Sequence, residues 1–475
     1  MSRGEVLRQI LPYGAALAVS KGIAFLLLPI LTRHLTPEAF ARWDLLATVA
    51  DMAGLALGLG LAEALYRFSP QKPETPAALL GLAITAAAVW LLLGQGVIWL
   101  LPTLPFDLPR PALQALAGSL ALVACIEVPL AALKFQGRSG PVALIIAGRA
   151  LLQAGLILGA LYGGYGIVGM AVATLITDCV IALILLAMTV RHYGLNFTIT
   201  AWRPALAYGT PVAAGGWAGF VLGSCDRWFL VGAIAAASLA HYALAAKIAL
   251  VVALAAQPFG LWWYPRRIGL AQTAWGRDRS AAAVGAGLLL LILAVAAAML
   301  LGPLVIEAIT PPAFHAAARW VGPLALAFAL HEAASLLNVG SYLGVTGGKP
   351  FLINWLGALV ALAGYSLIPF LGDRLAPEAI AIGATLAAHG VRIGLFLWVG
   401  RTPAPIPYPW VGVAGFAALA TLLLVLIDSL AFEGIARWAV AALSLSALAG
   451  VGALLAWGWS TTATLPTVSA PGESS

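Results

Sequence analysis

Long apolar runs alternate with short polar connections along the whole chain. Most runs exceed the roughly 20 residues that an α-helix needs to cross the hydrocarbon core of a bilayer. The pattern therefore predicts an all-α integral membrane protein with about fourteen transmembrane helices. Their predicted bounds are Ile10–Leu31, Trp43–Tyr66, Ala77–Leu101, Ala112–Leu133, Val142–Tyr162, Ile167–Val190, Leu206–Ile234, Leu239–Trp262, Ala281–Ile306, Val321–Tyr342, Phe351–Leu371, Glu378–Val399, Trp410–Ala431 and Ile435–Trp459.

The composition excludes a water-soluble enzyme. Hydrophobic residues make up 62% of the 475 positions and charged residues only 9%, against roughly 25% charged residues in an ordinary soluble domain. The net charge of +7 is spread singly between apolar runs, which argues against nucleic-acid binding. The three cysteines lie in apolar runs and the six histidines lack metal-ligand spacing, so we expect no metal and no cofactor.

The distribution of Lys and Arg predicts the topology, because short cytoplasmic loops are enriched in positive charge. With the N-terminus inside, fourteen of the 25 Lys and Arg residues fall on the cytoplasmic side, six fall outside and five lie within spans. Both termini are therefore predicted to be cytoplasmic.

A short internal sequence repeat predicts two pseudo-symmetric lobes. Leu11-Pro-Tyr13-Gly14 opens the first span, and Leu206-Ala-Tyr208-Gly209 opens the seventh. An offset of six helices, an even number, keeps the copies parallel, so the lobes are expected to flank a central cavity. The predicted organisation is an N-terminal lobe over 1–203, a C-terminal lobe over 204–401, two additional helices over 402–460 and a disordered cytoplasmic tail over 461–475.

Ionisable residues inside the spans are the candidate functional residues, because each costs about 2.5–3.5 kcal/mol at mid-membrane on insertion scales. Lys21 is the most central, roughly 16 Å from the start of its span at a rise of about 1.5 Å per residue. Guanidinium and ammonium groups bind phosphate oxygens through charge-assisted hydrogen bonds. The predicted substrate-binding cations are Lys21, Arg149, Arg227, Lys247 and Arg392.

Buried carboxyls are candidates for coupling to a proton or sodium gradient, because access to them from one side or the other changes their protonation. The ion-coupling candidates are Asp51, Glu127 and Asp178. The competing interpretation is that each intramembrane charge is neutralised by a neighbour and only joins helices. Glu63 and Arg67 have the i,i+4 spacing of a structural salt bridge, and His389 shares a helix face with Arg392.

Three segments resemble motifs of one transporter family. Leu28-Pro-Ile-Leu-Thr-Arg-His-Leu-Thr-Pro-Glu-Ala-Phe40 resembles the entry signature of bacterial oligosaccharide flippases, the polysaccharide-transporter family of the multidrug/oligosaccharidyl-lipid/polysaccharide (MOP) superfamily. Ser224-Cys-Asp-Arg227 and Tyr242-Ala-Leu-Ala-Ala-Lys247 are similar to the family's Ser-x-Asp-Arg and Tyr-x-x-Ala-x-Lys elements. Ala41 departs from the glycine usual after the first motif.

The resemblance implies a flippase, and no enzyme activity. Its substrate would be an undecaprenyl-pyrophosphate-linked oligosaccharide, moved by alternating access across the bacterial cytoplasmic (inner) membrane for O-antigen, capsule or exopolysaccharide assembly. The expected partners are this lipid-linked oligosaccharide, membrane lipids, an ion gradient and a polysaccharide polymerase complex. Three alternatives remain: a cation-coupled multidrug exporter of the same superfamily, a membrane-bound polymerase or ligase, and an inactive lipid-binding scaffold.

Overall fold

The computed structural model describes most of the chain, and the statements below concern that part. The described residues are 3–70, 72, 74–100, 108–264, 266–343, 348–402, 405–430, 432 and 434–462. The tail predicted over 461–475 lies outside them beyond Thr462.

Helices dominate the described residues, with one isolated β-bridge between Val231 and Ile234. The first ten helices are α1 Arg3–His34, α2 Pro37–Leu57, α3 Leu61–Phe68, α4 Thr75–Leu100, α5 Arg110–Ala121, α6 Val123–Phe135, α7 Ser139–Tyr162, α8 Gly166–Tyr193, α9 Ile199–Gly223 and α10 Asp226–Leu230. The others are α11 Ala236–Ala249, α12 Val251–Trp263, α13 Arg267–Ala271, α14 Ala274–Ile309, α15 Ala318–Leu337, α16 Gly348–Tyr365, α17 Ile368–Leu371, α18 Pro377–Gly400, α19 Trp410–Ser429 and α20 Gly434–Thr462. The 3-10 turns Pro312–Ala317 and Val339–Tyr342 flank α15.

The predicted fold class is confirmed. Over the described ranges, fourteen helical segments are long and apolar enough to cross a membrane. Several segments are interrupted: α2 and α3 meet at a turn over 58–60, α5 and α6 meet at Leu122, and α11 and α12 meet at Leu250. Hydropathy alone does not reveal these breaks, because the apolar run continues through them.

Several predicted helix ends were wrong, among them the start of the second span and the end of the seventh. The second span begins at Pro37 rather than Trp43, because the hydroxyl of Thr36 accepts a hydrogen bond from the Ala39 N–H and proline suits the first helical position. The seventh span ends at Gly223 rather than Ile234, and a separate helix, α10, follows it. Arg227 therefore lies on α10 and not deep in the seventh span.

The chain divides into two compact units, residues 1–220 and 221–475, so that the division falls inside α9. In the first unit, α3, α4, α6 and α8 share the main hydrophobic core, and α1 packs along α7. Leu65, Leu80 and Leu185 are fully buried in that core. These contacts hold the helices that carry the candidate residues of the first unit.

In the second unit, α14 and α15 pack together, and α18 packs against both α15 and α16. The two additional helices, α19 and α20, pack on α14 through Phe416, Leu448 and Leu289. They therefore extend the apolar core of this unit, while α15, α16 and α18 form a separate polar cluster.

The turn between α2 and α3 depends on a close backbone approach. Gly60 has a φ of +61°, and a β-carbon on it would overlap the backbone carbonyl of Gly209 in α9. Glycine alone meets both conditions without strain. Gly209 belongs to the repeated Leu-x-Tyr-Gly element, and here it packs α9 against the broken second span.

We expect Gly60→Ala to lower stability by about 1–3 kcal/mol, because it adds left-handed strain and a backbone overlap. The matched control is Gly54→Ala on α2, where a β-carbon meets nothing within 4 Å and alanine improves helix propensity by up to about 1 kcal/mol. The thermal unfolding midpoint in detergent measures both. A Gly60→Ala midpoint equal to the wild-type value would contradict the close approach.

Candidate functional site

Lys21 lies on the exposed surface of α1. Within the described residues, its ammonium group has no hydrogen-bond or ion-pair partner. An unpaired ammonium group this far inside a spanning helix retains its full capacity to bind an anion, since all three N–H donors remain available.

Arg149 and Asp178 form an ion pair between α7 and α8. Arg149 Nη2 lies 2.8 Å from Asp178 Oδ1, and Ser119 on α5 donates its hydroxyl to Asp178 Oδ2. The Asp178 side chain is 6% exposed and the Arg149 side chain 41%. A predicted substrate cation and a predicted coupling acid thus neutralise each other and join three helices, as the competing interpretation expects of a structural pair.

Glu127 on α6 is an exposed carboxylate at the break in the second span. A β-carbon on Gly58 would lie 2.9 Å from Glu127 Oε2, so the carboxylate approaches the turn closely. Glu63, Lys134 and Arg149 are within electrostatic range of it, but no ion pair forms among the described side chains. The carboxylates of Glu63 and Glu127 therefore lie near each other at the turn between α2 and α3.

The expected Glu63–Arg67 salt bridge is absent from the described residues. The Arg67 guanidinium lies instead over the ring of Tyr208, 5.1 Å from its centroid. A cation–π contact leaves Glu63 without its predicted cation. Asp51, the third coupling candidate, lies about two turns before the break, with an exposed side chain.

Asp226 and Arg227 are both buried at the start of α10. Asp226 Oδ1 accepts a 2.9 Å hydrogen bond from the Arg227 backbone N–H, and the fully buried Tyr242 of α11 donates its hydroxyl to Asp226 Oδ2. Lys247 lies further along α11, half-buried. The Ser-x-Asp-Arg and Tyr-x-x-Ala-x-Lys elements are thus joined by an Asp–Tyr hydrogen bond.

Arg392 on α18 is 4% exposed, and its described hydrogen bonds go to neutral groups. Nε donates to Asn354 Oδ1 of α16 over 3.0 Å, and Nη1 donates to His389 Nδ1 over 2.9 Å. Glu332 of α15 attracts it at longer range without forming an ion pair. The His389 ring meets His331 of α15 edge to face at 5.2 Å.

Arg267 on α13 is held in the second unit by an amide and two aromatic rings. It donates to Asn338 Oδ1 over 2.8 Å and lies over the rings of Tyr264 and Tyr342 at 4.9 and 4.7 Å. Burial raises the pKa of the Tyr264 hydroxyl, so this ring stays neutral beneath the cation. Arg267 therefore has a structural explanation beyond its contribution to the topology.

Among the contacts described above, that between Arg149 and Asp178 joins two of the predicted binding and coupling residues. Sequence reasoning missed three of the partners: Ser119, Asn354 and His331. Each comes from a different helix, so no spacing signal marked it. The motif marked Tyr242 but gave no indication that it contacts Asp226. The i,i+3 spacing of His389 and Arg392 was the one local signal that corresponds to an observed contact.

Comparison with known families and proteins gives two results. Residues 6–267 match the model of a family described as polysaccharide biosynthesis protein. No curated protein matches the chain significantly.

Comparison with solved structures identifies similar transporters. The lipid II flippase MurJ, in an inward closed conformation, has a TM-score of 0.72 at 14% identity, covering 95% of this chain and 98% of its own. A multidrug resistance MATE family transporter of the MOP superfamily, in an inward-facing conformation, has a TM-score of 0.62 at 16% identity, covering 83% and 97%. At these identities the likeness shows the fold of a multi-pass membrane protein.

The Arg149–Asp178 pair predicts strong energetic coupling. Asp178→Asn should destabilise the protein by roughly 1–3 kcal/mol, between the values for exposed and buried pairs, because it leaves a guanidinium without its counter-charge. Adding Arg149→Gln should recover part of the loss. Unfolding in mild SDS measures the cycle.

Asp428→Asn on the exposed end of α19 is the control, since its carboxylate has no described partner. Additive effects of the two substitutions at Arg149 and Asp178 would contradict the pairing.

Proposed function

Because the chain belongs to the polysaccharide biosynthesis protein family, we propose that it flips an undecaprenyl-pyrophosphate-linked oligosaccharide across the bacterial cytoplasmic membrane by alternating access. The direction is from the cytoplasmic to the outer leaflet, with both termini in the cytoplasm. The product supplies assembly of a surface polymer such as O-antigen, capsule or exopolysaccharide, alongside a polysaccharide polymerase.

The observation that carries this proposal is the environment of Arg392. A guanidinium in a spanning helix with only neutral hydrogen-bond partners costs free energy unless an anion compensates it. A diphosphate group supplies that compensation, because its oxygens accept the paired N–H donors of arginine. Lys21 in the first unit also supports an anionic substrate, since its ammonium group has no described partner.

The similarity to MurJ supports a lipid-linked substrate. That protein is named as a lipid II flippase. The present chain shares its fold, and the intramembrane cations provide the matching chemistry for the headgroup of such a lipid. A pyrophosphate cannot cross about 30 Å of hydrocarbon unaided, so a protein with polar groups inside its spans is required.

A cation-coupled multidrug exporter is the second candidate, favoured by the similarity to MATE family structures. Carboxylates that approach each other, as Glu63 and Glu127 do, suit a cationic substrate or a coupling ion. Lys21 and Arg392, which form no ion pair among the described residues, weigh against cationic cargo, since like charges repel in a medium of low dielectric constant.

For ion coupling, Glu127 is the best placed of the three predicted acids. Asp178 is held by Arg149 and Ser119, whereas Glu127 has no described ion pair and lies beside the break between α2 and α3. Binding of a proton or sodium ion to Glu127 would change the charge beside the break in the second span. We propose that this change links the ion gradient to movement.

We expect Lys21→Ala and Arg392→Ala each to reduce delivery of lipid-linked oligosaccharide to the outer leaflet roughly tenfold or more, the value of one charge-assisted hydrogen bond of about 1.5 kcal/mol. Surface polymer in cells lacking their own flippase measures delivery. The control is Arg437→Ala, whose side chain faces Glu307 in an exposed pair.

Normal delivery by the well-expressed double variant would overturn the flippase proposal. Resistance of expressing cells to cationic drugs, without any effect on delivery, would favour the exporter instead.

We expect Glu127→Gln to abolish the dependence of transport on an imposed proton or sodium gradient, because the amide carries no titratable charge. Transport into vesicles with and without each gradient measures this. Glu74→Gln, in the exposed connection before α4, is the control. A Glu127→Gln variant that responds to both gradients like the wild type would remove Glu127 from the coupling mechanism.

A further inference from the structure

The second unit contains a polar cluster built on α15, α16 and α18, with Arg392 at its centre. His389 is 1% exposed and lies one turn before Arg392 on the same face of α18. The aliphatic stem of Arg392 crosses α16 at Gly357, where a β-carbon would overlap Cγ. The glycine thus makes room for the guanidinium to reach both His389 and Asn354.

The hydrogen bond between Arg392 and His389 determines the protonation state of the histidine. A guanidinium has five N–H donors and no acceptor, so His389 Nδ1 must accept through its lone pair. That lone pair is also the one that binds a proton when imidazole becomes imidazolium. Arg392 and a proton therefore compete for the same atom, and His389 is neutral with its hydrogen on Nε2 in this structure.

The groups around His389 further disfavour a proton on its ring while Arg392 is hydrogen-bonded to it. From α15 it faces the His331 ring, and Glu332 beside it attracts Arg392 without forming an ion pair. From α16, Tyr365 hydrogen-bonds Thr385, one turn earlier on α18. A proton on His389 would therefore place two cations side by side, with no carboxylate in contact with either among the described side chains.

The helix α10 also packs against α18, and it carries the buried pair Asp226 and Arg227. The other two elements in contact with α18, the turn Val339–Tyr342 and α17, contain no Asp, Glu, Lys, Arg or His. Asp226 is held by the Tyr242 hydroxyl and by a backbone N–H. The described hydrogen bonds of Asp226 therefore join it to α10 and α11 and not to His389.

We propose that His389 is a proton-binding site linked to oxyanion binding at Arg392, so that an anion drawing the guanidinium away frees Nδ1 to take a proton from water. The inference rests on the proposed function for the identity of the anion, a diphosphate ester. The anion balances the charge of the imidazolium and guanidinium together. Anion and proton each raise the affinity of the other, because linkage between two sites is reciprocal.

This arrangement makes anion binding in the second unit depend on the protonation of His389. The anion is bound tightly when His389 can load a proton, and it is released when the proton leaves and Arg392 returns to Nδ1. Asn354 acts as a positioning residue, since its carbonyl holds Arg392 Nε in the proton-free arrangement. His331 provides a neutral ring face, not a second binding site.

The test uses the full chain in lipid nanodiscs with methanedisulfonate as the probe, a diphosphate-like dianion whose sulfonates stay ionised across the range in which histidine titrates. Calorimetry in two buffers of different ionisation enthalpy gives the number of protons taken up on binding. We expect uptake approaching one proton near pH ~6, with affinity rising as pH falls, by at most about tenfold per pH unit.

Three variants separate the roles. His389→Asn keeps an acceptor for Arg392 but does not titrate, so it should bind the probe without proton uptake. His331→Asn should retain the uptake, and Arg392→Ala should lose probe binding. Unchanged uptake in His389→Asn, or binding by the wild type without any uptake, would overturn the proposal, as would failure of the wild type to bind the probe.

A second measurement avoids dependence on variant folding. The ¹⁵N NMR signals of His389 in the wild-type protein should report the Nε2–H tautomer without the probe and the imidazolium with it. A neutral ring in both states would also overturn the proposal. Delivery of lipid-linked oligosaccharide is scored separately: normal delivery without proton uptake would reject the linkage but not the flippase, and uptake without delivery would reject the flippase alone.

Discussion

The constraint on which this protein depends is the cost of holding a positive charge inside an apolar helix. An isolated cation at mid-membrane costs about 2.5–3.5 kcal/mol on insertion scales. The chain meets this cost in two ways. Arg149 is neutralised by Asp178, which ties α7 to α8. Arg392 is instead held by two neutral acceptors, and no carboxylate forms an ion pair with it among the described side chains.

The two units therefore use their polar residues differently. In the first, a complete ion pair stabilises the helices, and the carboxylates of Glu63 and Glu127 lie at the break in the second span, where Glu127 approaches the turn at Gly58. In the second, His389, Asn354 and Arg392 form a hydrogen-bonded network between α16 and α18. The network contains one positive charge and no described carboxylate. The hydrogen bonds of this network are formed, but its charge is not neutralised. Such a network is suited to reversible binding of a ligand, because binding replaces one set of hydrogen bonds with another.

The similarity to flippases and drug exporters at 14–16% identity indicates that the fold accommodates different cargo. Function then depends on the few polar residues inside the spans rather than on helix order. Here the neutral-partnered arginine and the unpaired Lys21 favour anionic cargo. The acids near the turn between α2 and α3 favour an ion as the source of energy, so cation and anion chemistry serve different steps.

The sequence by itself determined the fold class and the number of spans, because the length of an apolar run and the width of a bilayer are enough to define a spanning helix. It also identified the charged residues that require an explanation. It placed the end of the seventh span too late and assigned Glu63 the wrong partner, since hydropathy does not detect a break and i,i+4 spacing does not exclude a competing aromatic ring such as Tyr208. Only the tertiary structure decided which charges are neutralised and which are not, because residues far apart in sequence, such as Asn354 and Arg392, meet only when their helices pack.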